Sequence, residues 1–437
     1  MSKETPHPVF GFACFASLLL LALALAACTG NDGNADDTFA PAQSQTTITA
    51  LVWAPDWPEE MQQIATEFSR ANPQIRVDIQ FMIGDSVEAN IKPKIAANKL
   101  PDIMSVNPNA YAAQLADQGF LAEVGQSAAW GNMLDSLKAD WTTGKNKHYG
   151  IPSGVAATLM YYNKDMFRQA GLTALPGNFD EFLVLCEKLK AAGFTPIMWN
   201  GGFPNMLANG PFSFGFANNV VPKNPAWKRA IGDGSLDLDT ADTADIFAKV
   251  KLVAGRGYVQ KGYMNTSYDE GIRLFADGKT AMAFQGTWAS GLLMHGKGFQ
   301  TGTFIPPWNA AGQPVVPVLG SETGFAVCET RNKKAAFKFL EFLYGKGFPI
   351  QQNKRQNISP LKTVEGKVVS DPQMNEYVRT VSKYPVTASP YYSYLPTATI
   401  ELLHPLLQDV LLGKTTPQQA ATRLDQSIKQ EARKNNK

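Results

Sequence analysis

Residues 47–106 switch repeatedly between two hydrophobic periods, and that switching restricts the chain to a narrow set of folds. Residues 47–53 are rich in β-formers and run into Pro55-Asp56-Trp57-Pro58, after which Met61, Ile64, Ala65 and Phe68 recur at helical spacing. Residues 75–81 alternate as a second strand, 87–98 read as a helix, and 102–106 as a third short strand. A βαβαβ order implies an open, largely parallel sheet, because parallel neighbours need a crossover long enough to bring the chain back. Ligands of such sheets bind beyond the carboxyl ends of the strands, so loops 53–58 and 106–110 are candidate site loops. Helical patterns at 179–192, 240–254, 268–277, 333–343 and 399–412 alternate with short strands and glycine or proline turns. The predicted class is therefore α/β throughout, with a helix-rich end at 417–434 and no internal repeat.

With 437 residues, 44% of them hydrophobic, the chain can bury enough surface for two domains. Its 40 basic and 38 acidic residues are spread along the sequence and leave a net charge of +2, so no basic footprint for nucleic acid is present. Residues 9–27 are the long apolar stretch; preceded by Lys3, they read as a leader peptide over residues 1–27. The run 18–25 leads into Ala26-Ala27-Cys28, which resembles the bacterial lipobox, with Cys28 as the thiol that receives diacylglycerol. A plain membrane anchor is the alternative, but the polar stretch 29–37 starts directly after Cys28. Residues 28–45 are too poor in apolar side chains to pack and read as a flexible tether. The expected location is extracytoplasmic, lipid-anchored to the cell membrane through Cys28.

Apart from Cys14 and Cys28, only Cys186 and Cys328 remain, which is too few for a cysteine metal cluster. Both lie in apolar stretches and read as core positions; a disulfide between them is allowed by compartment but not deducible. The four histidines (His7, His148, His295, His404) lack metal-ligand spacing, and no Gly-x-Ser-x-Gly elbow occurs. Neither metal nor cofactor is implied. A two-carboxylate glycosidase centre is the enzyme alternative that sequence leaves open.

Several segments occur in one order along the chain: Glu67-Phe-Ser-Arg-Ala-Asn-Pro-Gln-Ile-Arg-Val77, Leu100-Pro-Asp-Ile103, Gly119-Phe-Leu121, and Tyr149-Gly-Ile-Pro152. Tyr161-Tyr-Asn-Lys-Asp-Met-Phe167 with Gly171-Leu172 and Asp180-Glu-Phe182 follows, then Phe275-Ala-Asp-Gly-Lys-Thr-Ala-Met282, Gly286-Thr-Trp288, Ser359-Pro360 and Leu412-Gly-Lys414. The series resembles the family-1 extracellular solute-binding proteins, the carbohydrate receptors of bacterial ABC importers related to maltose-binding protein. The resemblance implies a periplasmic-binding-protein-like (type II) fold of two α/β lobes around a cleft that closes on ligand. It places crossings near Pro152, 301–308 and Leu361, with 46–152 and 302–361 in the first lobe and 153–301 and 362–437 in the second. It also implies a binding protein rather than an enzyme, expected as a monomer, with a sugar ligand and the importer's permease as partners. A non-sugar solute in the same fold is the alternative.

A sugar cleft needs aromatic faces for C–H surfaces and amide, carboxylate or guanidinium groups for hydroxyls. Trp288 matches the family position whose tryptophan stacks on ligand. Asp56 and Trp57 occupy the first strand-to-helix loop, with helix N-cap and hydrophobic staple as their alternative roles. Asn107 and Asn109 flank Pro108 in the second candidate loop, where they equally suit a turn. Trp199 and Asn200 stand before two glycines, Tyr161 opens the central signature, Glu322 follows Gly320-Ser321, and Tyr392 lies in the aromatic loop 391–394. Each of these is a candidate ligand contact, with core packing or a solvated loop as the competing reading.

Overall fold

The computed structural model describes residues 45–84, 86–294, 296–365, 384 and 387–435. The expected leader, Cys28 and the tether to residue 44 lie outside the described residues.

The chain opens with strand β1 (Thr46–Val52), helix α1 (Pro58–Ala71), strand β2 (Ile75–Phe81), helix α2 (Val87–Ala96), strand β3 (Ile103–Val106) and helix α3 (Ala110–Asp117). In α1, Pro58 begins the first turn, where its missing N–H costs nothing, and Glu59 and Glu60 complement the helix dipole. The buried face is Met61, Ile64, Ala65 and Phe68, and the Phe68 ring meets Phe339 and Phe342 edge-on. After β4 (Ile151–Pro152) and β5 (Val155–Asn163) come β6 (Ile197–Met198), β7 (Met282–Gly286), β8 (Thr301–Phe304), β9 (Val318–Ser321) and β10 (Gly324–Val327).

These strands form two sheets. The first has the order β2-β1-β3-β10-β4, with β2 and β3 parallel to β1 and β10 antiparallel to both β3 and β4. Strand order reverses at β1, so the loops after β1 and β3 open at a topological switch point. The second sheet has the order β6-β7-β5-β8, with β9 also on β5: β9 pairs with residues 155–158 and β8 with residues 160–163 of the same edge. Each sheet has its own core, the first around Trp57, Phe68, Trp141 and Phe325, the second around Phe182, Trp199, Phe284 and Trp308.

Two residues, Ser153 and Gly154, carry the chain from the first sheet to the second, and Glu322 and Thr323 carry it back. A third passage lies between Leu361, which packs in the first core, and Ala388, which bridges to Val318 of the second sheet. The second crossing corrects the expected boundary. The expected first lobe includes residues 302–321, but β8 and β9 hydrogen-bond to β5 and therefore belong with the second sheet. Cys186 and Cys328 are free thiols, one in each core, and burial pushes both well above the usual thiol range. The disulfide that compartment allowed is not formed.

Candidate ligand-binding cleft

A cleft lies between the sheets and takes side chains from both. On the first lobe its wall is the loop after β1 (Trp53, Pro55, Asp56, Trp57), the start of α2 (Ser86, Val87, Glu88) and Asn107 after β3. The second lobe supplies Phe203, Asn205, Met206, Asn209, Tyr268 and Trp288, together with Tyr391, Tyr392, Ile400 and His404. Ser153, Glu322, Thr323 and Arg355 close the hinge side.

Trp288 sits just past β7, between buried Thr287 and Ala289, and its own ring is partly exposed. Gly286 makes that placement feasible, since a Cβ there would overlap the indole. The Tyr268 ring meets Phe203 edge-on at 5.4 Å, and burial, followed by the charge of Asp56 on the facing lobe, lifts its phenol well above the usual range. Burial also keeps the Tyr392 phenol protonated, and its hydroxyl donates to the Ser321 carbonyl. Tyr391 shares a 2.8 Å hydrogen bond with His404 Nε2.

The hinge carries a buried polar cluster. Arg355, at the end of the helix Phe348–Arg355, sends Nε to Asp56 at 3.2 Å, Nη2 to Glu322 at 2.8 Å and Nη1 to the Ser153 carbonyl at 3.5 Å. Glu322 further accepts from Ser153 Oγ and Asn357 Nδ2. The guanidinium carbon also stands 5.5 Å from the centre of the Trp57 ring. Burial opposes the Arg355 charge, but Glu322 and then Asp56 outweigh it and hold the proton more tightly than usual. For Asp56 burial prevails: its carboxyl is lifted despite Arg355, and Glu322 adds to the rise.

At the first lobe's rim, Glu88 Oε1 accepts from Asn107 Nδ2 at 3.0 Å and Asn109 Nδ2 at 2.7 Å. Asn107 in turn accepts from Thr323 Oγ1, tying the second crossing to this rim. Across the mouth, Lys92 of α2 meets Glu401 of the helix Thr397–Leu411 at 2.7 Å, next to Ile400 and His404.

Of the candidates read from sequence, the cleft gathers Trp288, Asp56, Trp57, Asn107, Glu322 and Tyr392. Asp56 is not the helix cap: Trp57 takes the N-cap position of α1 while the Asp56 carboxylate turns to Arg355. Asn109, Tyr161, Trp199 and Asn200 are not cleft residues. Asn109 caps α3 through Ala112 N–H and steadies Glu88. Tyr161 lies in the core with its hydroxyl on the Gly286 carbonyl and Ser290, because both faces of β5 are covered and alternation delivers neither tyrosine to the cleft. Trp199 is packed beside Tyr263 in the second core. Asn200 donates to the Ser267 and Tyr268 carbonyls, so it anchors the start of the helix that presents Tyr268.

Sequence reading missed Trp53, Glu88, Tyr268, Arg355, His404 and the Asn205/Asn209 pair. The last had a signal: two asparagines four apart ahead of Gly210-Pro211, where the chain forms a π-helical turn, Ala208–Phe212, of the kind that recurs at functional sites. Among the described residues no group of three histidine, cysteine or acidic side chains is placed to hold a metal, and no helix is long and apolar enough to cross a membrane.

Two α/β lobes joined by short crossings around one shared cleft define a type II periplasmic-binding-protein-like fold. Residues 54–347 match the profile of the family described as bacterial extracellular solute-binding protein, and the chain belongs to that family. It is 25% identical over 425 residues to the maltodextrin-binding protein MdxE of Bacillus subtilis, with 94% of each chain covered. It is also 25% identical over 287 residues to the multiple sugar-binding protein of Streptococcus mutans, covering 65% of this chain and 67% of that one. Among solved structures, a chitin oligosaccharide binding protein superposes with a TM-score of 0.78 at 20% identity, over 89% of this chain and 99% of the other.

Proposed function

We propose that this chain is an extracytoplasmic receptor that captures a sugar or oligosaccharide for an ABC importer and does no chemistry on it. The observation that carries this reading is the cleft itself: partly exposed Trp288 and Trp53 and the more deeply set Tyr268 supply flat apolar faces, while amides and carboxylates from both lobes supply hydrogen-bonding partners. Ligand that touches both lobes stabilises the closed arrangement over the open one, and that difference is what a permease can read. Relatives named for multiple sugars, maltodextrin and lactose support the solute class.

The deciding measurement is a thermal melt of the leaderless chain against mono- and oligosaccharides, with product analysis alongside. A ligand at about 100 times its Kd adds about 2.7 kcal/mol to the folded state, so a saturable rise in Tm with one sugar class and no product is expected. A full panel without any shift would end the sugar reading, and turnover of a glycoside would end the receptor reading.

Within the same proposal, residues 1–27 are removed, Cys28 carries the lipid, and 28–45 tether a monomeric body to the membrane; the polar stretch that follows Ala26-Ala27-Cys28 supports it. The expected intact mass of membrane-extracted protein starts at Cys28 and exceeds the bare chain by the acyl groups. An unmodified mass would remove the anchor.

A further inference from the structure

Only one cation lines the cleft among the described residues, and it is already engaged: all three Arg355 guanidinium nitrogens point at protein acceptors, two of them carboxylates. Glu88 is in the opposite situation. It is 3% exposed and lines the cleft; its Oε1 accepts from the Asn107 and Asn109 amides, and among the described residues no hydrogen bond or ion pair engages its Oε2. Such a desolvated carboxylate, fixed by two amides with one oxygen uncommitted, is built to receive a donor.

The facing lobe repeats the pattern. Asn209, also 3% exposed and lining the cleft, gives its Nδ2 to Asn205 at 2.6 Å and leaves its buried Oδ1 without a partner. A buried acceptor without a donor is costly unless the ligand brings one. Both uncommitted oxygens therefore ask for hydroxyl or ammonium hydrogens, and among the described residues the cleft's one arginine or lysine is already paired and cannot meet an anion.

We propose that Glu88 is a ligand-binding carboxylate, paired across the cleft with Asn209, and that the cleft takes saccharides that are neutral or carry an amine and rejects those that carry a carboxylate or phosphate. The inference rests on the saccharide reading above. A uronate or phosphate group brought into this cleft would face Glu88 with no counter-charge, an arrangement that lowers affinity by about 100-fold or more. Replacing a hydroxyl by an amine adds a charge-assisted hydrogen bond at the same oxygen.

The test uses matched ligands: the saccharide with the largest thermal shift, its derivatives oxidised to uronate at each primary hydroxyl, and its amino derivatives at the same carbons, compared by calorimetry. The uronates are expected to bind at least about 100-fold more weakly than the parent, and an amino derivative at least as tightly as the parent, with the amine's advantage shrinking as salt is raised. Glu88→Gln should close the uronate gap by about tenfold or more, its melting curve showing that it remains folded. The wild-type comparison decides the matter even if that variant does not fold. Uronates that bind within about threefold of the parent, or a gap unchanged in Glu88→Gln, overturn the assignment. If no saccharide binds at all, the saccharide reading falls and this inference with it; binding without charge discrimination removes this inference alone.

Discussion

Arg355→Ala is expected to destabilise the folded chain by about 3–5 kcal/mol, measured by chemical denaturation, because it strands two buried carboxylates without the cation they share. The side chains of Arg355, Asp56 and Glu322 are each exposed by no more than 4%. The cluster joins the first crossing through Ser153, the second through Glu322, and the segment after the helix Phe348–Arg355 through Asn357. Gly154 fits beside it only without a side chain, since a Cβ there would overlap the Glu322 and Asn357 head groups. Lysine is no substitute at 355, for a single ammonium cannot reproduce the separate Nε and Nη2 bonds. A loss below about 1 kcal/mol would show that water reaches the cluster and that it is not a dry hinge element.

Asp56 has a folded pKa raised above its ordinary value of 3.8 by burial, so over the window between the two values the folded chain binds more protons than the unfolded one. Stability contributed by this group is therefore complete below 3.8 and declines as pH rises through the folded value. Asp56→Asn removes that decline and leaves Arg355 paired to Glu322, so its cost at neutral pH stays well below that of Arg355→Ala.

Local periodicity explains why the first sheet was readable. The strand expected at 75–81 is β2, the helix expected from 87 ends only two residues early at Ala96, and the switch-point rule brought Asp56, Trp57 and Asn107 to the cleft. Where pairing is long-range, the residues carry no local mark. β8 and β9 are four residues each, and nothing in them says that both lie along one edge of β5, more than a hundred residues earlier. Arg355 looks like an ordinary basic residue at a helix end until folding brings it against Asp56, 299 positions away. Trp199 is a candidate contact in the sequence because it and Asn200 stand before two glycines, yet β6 before it is two buried residues in a sheet covered on both faces.

Among substitutions, the largest effect expected on sugar affinity is that of Trp288→Ala, a loss of about 1–3 kcal/mol, or roughly 5- to 150-fold in Kd, with the melting of the unliganded chain little changed. The contrast with Trp57 shows why the effect should fall on ligand. Trp57 is 2% exposed, edge-on to Phe325 at 6.3 Å and beneath the Arg355 guanidinium, so its truncation would open a core cavity costing about 3–5 kcal/mol of stability and confound any change in affinity. Trp288 instead keeps part of its ring uncovered at the end of β7, in the space that Gly286 leaves for it. Ligand that stacks there buries apolar surface on the second lobe while its hydroxyls reach the first, which is the geometry that couples binding to closure. Calorimetry on Trp288→Ala with the best saccharide separates the outcomes: weakened binding with an intact fold places the ring against the sugar, whereas an unchanged Kd removes it from the site and shifts the stacking role to Trp53 or Tyr268.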